Sequence, residues 1–161
     1  MIVVSDWESL RTAQAEGGEL AIQGFFKDFH FLSNFHPSLI EVERIQYATV
    51  EHAFQAMKTR DRDERLSVAA KESPGAAKKA GRKVTLRSDW EQVKVGIMKD
   101  LVLQKFQEHE ELRELLLATG ECHLEETNTW RDRFWGVCGG QGQNHLGKIL
   151  MEVRDELLAN S

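Results

Sequence analysis

The sequence predicts an α+β fold, rich in helix with a few short strands, and three observations carry that prediction. Apolar residues recur at helical spacing through most of the chain after residue 49, whereas two short stretches before it run or alternate as strands do. Capping residues and glycines divide the helical part into separate pieces. With 161 residues, 41% hydrophobic, 29% charged and only two prolines, the chain matches one globular domain that closes its core without disulfides or metals. A single domain over residues 1–161 is therefore expected.

The first stretch, SDWESLRTAQAEGG, predicts a short helix capped by Ser5, with Glu8 at the capping-box position and Gly17-Gly18 as its stop. LAIQGFF and SLIEVERI read as strands on either side of an aromatic loop, KDFHFLSNFHP. Helices begin with TVEHAFQAMK at residues 49–58 and continue with DERLSVAAKE. Ser73 then supplies a cap and Pro74 a first-turn proline for PGAAKKAGR.

Ser88 is expected to cap a long helix whose Glu91 completes a second capping box, breaking near His109 and ending at Gly120. Residues 122–143 show no sustained period and read as an ordered loop. Asn144 is expected to cap a last amphipathic helix that turns Leu146, Ile149, Leu150, Val153 and Leu157 to the core. The chain has no internal repeat and no linker.

Several functions are disfavoured by composition. The opening MIVVSDWESL has no basic region before an apolar run, and no segment approaches the roughly 20 apolar residues of a membrane span, so a cytoplasmic protein without a membrane partner is expected. Cys122 and Cys138 fit no zinc spacing, and no metal or cofactor is expected. A net charge of -5 disfavours coating nucleic acid by charge alone. Yet six basic residues (Lys71, Lys78, Lys79, Arg82, Lys83, Arg87) face one acidic residue, Glu72, between positions 71 and 87, a patch fit for a phosphate-bearing small molecule.

Three stretches hold residues able to do chemistry. On a wheel of about 100° per residue, Val50, Ala53, Phe54 and Met57 form the apolar face of the 49–58 helix, with Glu51, Gln55 and Lys58 in a stripe beside it. By itself such a stripe reads as a boundary of snorkelling side chains before it reads as a site. His52, about 100° from Glu51, is expected at the surface. TWRDRFWGVCGGQGQNH joins Asp132 and two indoles to a glycine run leading into a helix, which can bring backbone N–H groups to a phosphate or simply turn tightly. In FFKDFHFLSNF most of the rings are core by default, with Ser33 and Asn34 a polar edge on which a planar base could sit beside Trp90 or Trp135.

Taken together, FLSNF, YATVEHAFQAMK, SDWEQVKVGIMKDLVLQKF, LLATG and DRFWGVCGGQGQNHLGKILMEVR resemble the NADAR/YbiA-like family of N-glycosidases, in order from about Gly24 to Leu157. Residues 1–20 look like an individual extension. The resemblance implies a NADAR (YbiA-like) α+β fold and cleavage of a ribose joined to an exocyclic amine. The substrate it implies is a phosphorylated ribosylamino-pyrimidine of riboflavin synthesis, or alternatively ADP-ribosylated guanine in DNA. A reader that binds ADP-ribose or an NAD-like ligand without turnover is the alternative of another class. Oligomeric state is left open.

Carried over residue by residue, the resemblance makes Glu51, Lys58 and Asp132 the reactive groups. It places Trp90 and Trp135 at the site and Gly136, Gly142 and Asn144 in the ligand-facing loop; read from the residues, Asn34 and Gln55 join the tryptophans on base or sugar, and Arg82 or Lys83 takes phosphate. Lys58 is expected to displace the base by transimination, with Glu51 or Asp132 moving protons. Direct displacement through an oxocarbenium-like state is the competing route. Val137-Cys138 and Ala48-Thr49-Val50 depart from the family pattern, which bears on substrate choice.

Overall fold

Short elements follow one another through the computed structural model, which describes residues 1–161. They are β1 (Ile2–Val3), α1 (Trp7–Glu16), β2 (Leu20–Gln23), a 3-10 segment (Lys27–Leu32), β3 (Ile40–Val42), β4 (Ile45–Tyr47), α2 (Val50–Ala56), α3 (Arg62–Ala69), α4 (Pro74–Gly81), α5 (Trp90–Glu108), α6 (Glu110–Ala118), β5 (His123–Glu125) and α7 (His145–Ala159). The mixed, helix-rich class read from the sequence is the one observed. Residues 1–33 with 110–161 make one compact unit, and residues 34–109 make the other. No helix is long and apolar enough to cross a membrane.

The first unit is built on a three-stranded parallel sheet of order β1-β2-β5, in which Val3 pairs with Ala21 and Ile22 with Leu124. Parallel neighbours need long connections. α1 supplies one, and the other runs from residue 24 to 122. α7 packs on β5 and α6, and its five predicted core residues are all buried. Buried Arg154 ties α7 to the end of α6 by donating to Thr119 Oγ1 at 3.0 Å and to the Cys122 carbonyl at 2.9 Å. Trp7 stacks against Phe31 and meets Phe29 edge-on; those two Phe rings and Phe25 are core, as the sequence implies, whereas Phe26 and Phe35 are exposed.

In the second unit, the stretch read as one strand is a hairpin. Glu43 and Arg44 both take positive φ, 51° and 67°, which reverses the chain between β3 and β4 in two residues. α2 lies at the centre, against α3, α4, α5 and the hairpin.

Other differences are local. Asp6, not Ser5, caps α1, in a reciprocal capping box with Ser9. α5 begins one residue later than Ser88 predicts, with Asp89 at the cap and no side-chain cap bond. The Asp89 carboxylate instead takes two hydrogen bonds from Arg87, at 2.7 and 3.0 Å, and is held down to about 2 by them. β1 and β5 are strands the sequence does not announce, because two or three residues carry no period.

Candidate active site

Helix α2 starts where its sequence directs. Thr49 is extended and its hydroxyl accepts the backbone N–H of His52, while the Glu51 N–H, one of the donors a helix start leaves over, goes to the Asn34 carbonyl at 3.1 Å. Every residue from Val50 to Ala56 is buried, so the polar stripe is not a boundary stripe. His52, expected at the surface, is 1% exposed. Its Nε2 donates to the Lys71 carbonyl at 3.0 Å, which leaves Nδ1 to accept from the Thr49 hydroxyl at 2.8 Å, so the ring is a fully used structural pin.

Glu51 is 8% exposed and Gln55 4%. Gln55 Nε2 donates to Glu51 Oε1 at 2.7 Å, one helical turn apart. Burial pushes the Glu51 carboxyl upward, against the Gln55 hydrogen bond and the charges of Lys78 and Lys58. Lys58 is shifted the other way. Burial lowers its amine, Glu51 opposes that, and Arg82, Lys78 and Lys94 add to it as like charges.

The helix ends at Ala56 with Met57 as its C-cap, so Lys58 stands in the turn beyond, not on the helix itself. Its place is fixed by its backbone, whose N–H reaches the Gln55 carbonyl and whose carbonyl accepts Arg87 N–H at 2.7 Å. Trp90, at the first residue of α5, is buried against Phe54 with ring centroids 5.0 Å apart. Asn34 is buried too, and its Nδ2 donates to Met98 Sδ at 3.4 Å.

Helix α4 separates the basic residues into two groups. Ala77 and Gly81, four apart and both buried, present the face toward α2. Lys78 and Arg82 follow on one flank and act on Lys58. The other flank carries Ala76, Lys79, Ala80 and Lys83, which with Val68 and Lys71 line an open groove of about 440 Å³ between α3 and α4. Arg82 and Lys83, neighbours in sequence and alternative candidates for phosphate, therefore belong to different surfaces. Lys94 of α5, held by Glu91 at 2.6 Å, joins the Arg82 group.

The Asp132 loop belongs to the first unit. Asp132 Oδ1 accepts the backbone N–H groups of Phe134 and Trp135, at 3.1 and 2.9 Å. Asn128 braces the same residue from both ends, accepting Asp132 N–H and donating to the Asp132 carbonyl at 2.8 Å. Trp135 is partly exposed and meets Phe134 edge-on at 4.8 Å. Gly136 and Gly142 permit a close crossing of backbone: a Cβ on Gly136 would lie 2.1 Å from the Glu126 carbonyl, and one on Gly142 2.2 Å from that of Gly136.

Asn144 precedes α7 in the left-handed conformation, φ 52°, and makes no side-chain cap bond. It accepts Glu126 N–H and donates to the Leu124 carbonyl, both at 3.0 Å, so its amide closes the edge of β5. Sequence reasoning missed Asn128, Lys78 and Lys94 as supports of these groups. The signal for Lys78 was its i, i+4 spacing from Arg82; nothing in the sequence marked Asn128 or Lys94.

Comparison with known proteins identifies the family. The NADAR domain family matches residues 21–158. An N-glycosidase of Nostoc punctiforme is 45% identical over 132 residues, covering 78% of this chain and 83% of that protein. The solution structure of Escherichia coli YbiA superposes with a TM-score of 0.80 at 37% identity, covering 89% of this chain and 88% of that one. A riboflavin biosynthesis protein of Vibrio vulnificus is 38% identical over 130 residues, 79% of this chain but 35% of that longer protein. The chain belongs to the NADAR family, as an enzyme that hydrolyses N-glycosyl bonds.

Proposed function

We propose that the enzyme hydrolyses the bond between ribose 5-phosphate and an exocyclic amine of a pyrimidine, an intermediate of riboflavin biosynthesis, through a Schiff base on Lys58. The observation that carries this reading is the opposed tuning of two groups. Glu51 is pushed toward its neutral acid and Lys58 toward its neutral amine, the states a proton donor and a nucleophile need at the start of the reaction. The name of the Vibrio vulnificus relative supports the substrate class.

Protonation of the ring oxygen by Glu51 breaks its bond to C1, and the lone pair of the exocyclic nitrogen forms the C1=N iminium. The neutral Lys58 amine adds to C1. A proton passes from the lysine nitrogen to the exocyclic nitrogen, the C1–N bond to the pyrimidine breaks, and the pyrimidine amine leaves with that proton. Water then adds to the lysine Schiff base, a carboxylate taking its proton and passing it to the lysine nitrogen; the C1–N bond breaks as the C1 hydroxyl becomes the carbonyl of ribose 5-phosphate and returns its proton to Glu51, leaving the neutral Lys58 amine. The sum is substrate plus water giving amine plus sugar phosphate.

Lys78, Arg82 and Lys94 serve twice in this scheme. Their charge adds to burial in lowering the Lys58 amine, and it also attracts the 5-phosphate. Asp132 is the second carboxylate in our reading, carried over from the family resemblance; its Oδ1 holds its own loop. The test is mass spectrometry of products after incubation with the ribosylamino-pyrimidine phosphate or with ADP-ribosylated guanine DNA. Ribose 5-phosphate from the first, at a rate abolished in Lys58→Met and Glu51→Ala, is expected. Turnover confined to the second, with free ADP-ribose as product, overturns the substrate assignment.

A further inference from the structure

Gln55 carries a feature that substrate binding does not need. Its amide is almost wholly buried, its Nε2 is engaged by Glu51 Oε1 at 2.7 Å, and its Oε1 is buried with no donor. α4 closes over that oxygen at Gly81, where an added Cβ would lie only 2.0 Å from it. A buried acceptor without a partner is costly, and a primary amide is nearly symmetric in shape, so rotating it by half a turn exchanges donor for acceptor in the same space.

We propose that Gln55 is a positioning residue whose amide reverses with the protonation of Glu51, donating from Nε2 to the carboxylate and accepting at Oε1 the O–H of the carboxylic acid. Both states of Glu51 then have a hydrogen-bond partner, so the buried carboxyl releases and regains a proton within one turnover with no partner lost. In either orientation the other amide atom rests against Gly81, which makes the two states alike in packing.

The charges that act on Glu51 are those of Lys78 on α4 and of Lys58 beside it; His52, with Nε2 donating to Lys71 and Nδ1 accepting from Thr49, adds none. They favour the carboxylate, while burial favours the acid. The Nε2 bond belongs to the carboxylate side of that balance, so removing it favours the acid. The kinetic part of the test rests on Glu51 being catalytic, as proposed above; the spectroscopic part does not.

The experiment is a side-chain amide NMR titration of the wild-type enzyme. The Gln55 amide resonances should shift with the same midpoint as the Glu51 carboxyl carbon. Contacts from the Gln55 amide protons to Gly81 Hα should appear below that midpoint and vanish above it, and both changes should disappear in Glu51→Gln. A Gln55 amide that does not titrate, or that titrates while its contact to Gly81 stays constant, overturns the reversal.

In Gln55→Met both bonds are lost and the carboxylate loses the stronger one, so the limb of the kcat/KM profile set by Glu51 should move up by about one pH unit with KM unchanged. A raised KM with an unmoved limb would make Gln55 a substrate ligand instead. Should that variant not fold, the wild-type titration decides alone. A titrating, reversing amide in an enzyme whose Glu51 variants keep full turnover would retain this inference and sink the catalytic assignment of Glu51.

Discussion

Replacing Gly81 by alanine tests how α4 is seated on α2. The added Cβ would lie 2.0 Å from Gln55 Oε1, 2.8 Å from its Cδ and 2.9 Å from its Cβ, all inside normal contact. Gln55 is buried, so its side chain has no open space to swing into, and either α4 moves outward or the Gln55–Glu51 bond breaks. Overpacking of this kind costs about 1–3 kcal/mol, whereas alanine returns up to about 1 kcal/mol of helix propensity, and less at the last residue of a helix.

The steric term wins, leaving a net loss of about 1–2 kcal/mol and a fall in Tm of roughly 2–8 °C for a chain of this size. Thermal and urea unfolding measure it, and a double-mutant cycle with Gln55→Ala isolates its source. In that background the 2.0 and 2.8 Å clashes are gone and only the contact to Cβ persists, so most of the penalty should disappear. A Gly81→Ala enzyme as stable and active as wild type, or a penalty unchanged beside Gln55→Ala, would refute the reasoning.

Other perturbations have definite signs. Lys105 is wholly buried and its amine is lowered to about 7 by desolvation, while in the unfolded chain it keeps its ordinary value near 10.5. Between those values the unfolded state binds the extra proton, so stability should rise from pH 7 to 10. Lys105→Met should remove that rise and stabilise the fold at pH 7 by on the order of 3 kcal/mol. Asn144→Ala leaves the Glu126 N–H and the Leu124 carbonyl without their partner and should cost about 2–4 kcal/mol in urea unfolding. Arg82→Ala should raise KM for the phosphorylated substrate roughly tenfold and Lys83→Ala leave it unchanged, since only Arg82 acts on Lys58; equal effects would contradict the separation of the two surfaces.

Elements with a period or a cap were legible from residues alone. Ser73-Pro74 starts α4, and α7 buries the five residues its spacing selects. What escaped were features set by tertiary contact. β5 is three residues long, and it is a strand because β2 lies beside it. Asp89 displaces Ser88 as cap because its carboxylate is drawn to Arg87.

The wheel grouped Glu51 and Gln55 correctly but could not say how many sides of α2 are covered, which is why His52 was placed at the surface and the stripe at a boundary. It also carried Lys58 on the helix, whereas the turn after Ala56 and the Arg87 N–H hold it. Arg82 and Lys83 looked like one phosphate site because a linear patch does not show that the chain leaves α4 at Gly81 and turns the two side chains to different surfaces.

The central claim is that Lys58 forms a covalent bond with the sugar, and borohydride trapping tests it most directly. Enzyme incubated with the ribosylamino-pyrimidine phosphate and reduced during turnover should gain the mass of a reduced ribose 5-phosphate adduct, with peptide mapping placing it on Lys58 and none forming on Lys78 or Lys94. Full turnover with no adduct would contradict the account and leave Lys58 as a phosphate or sugar contact in a direct displacement.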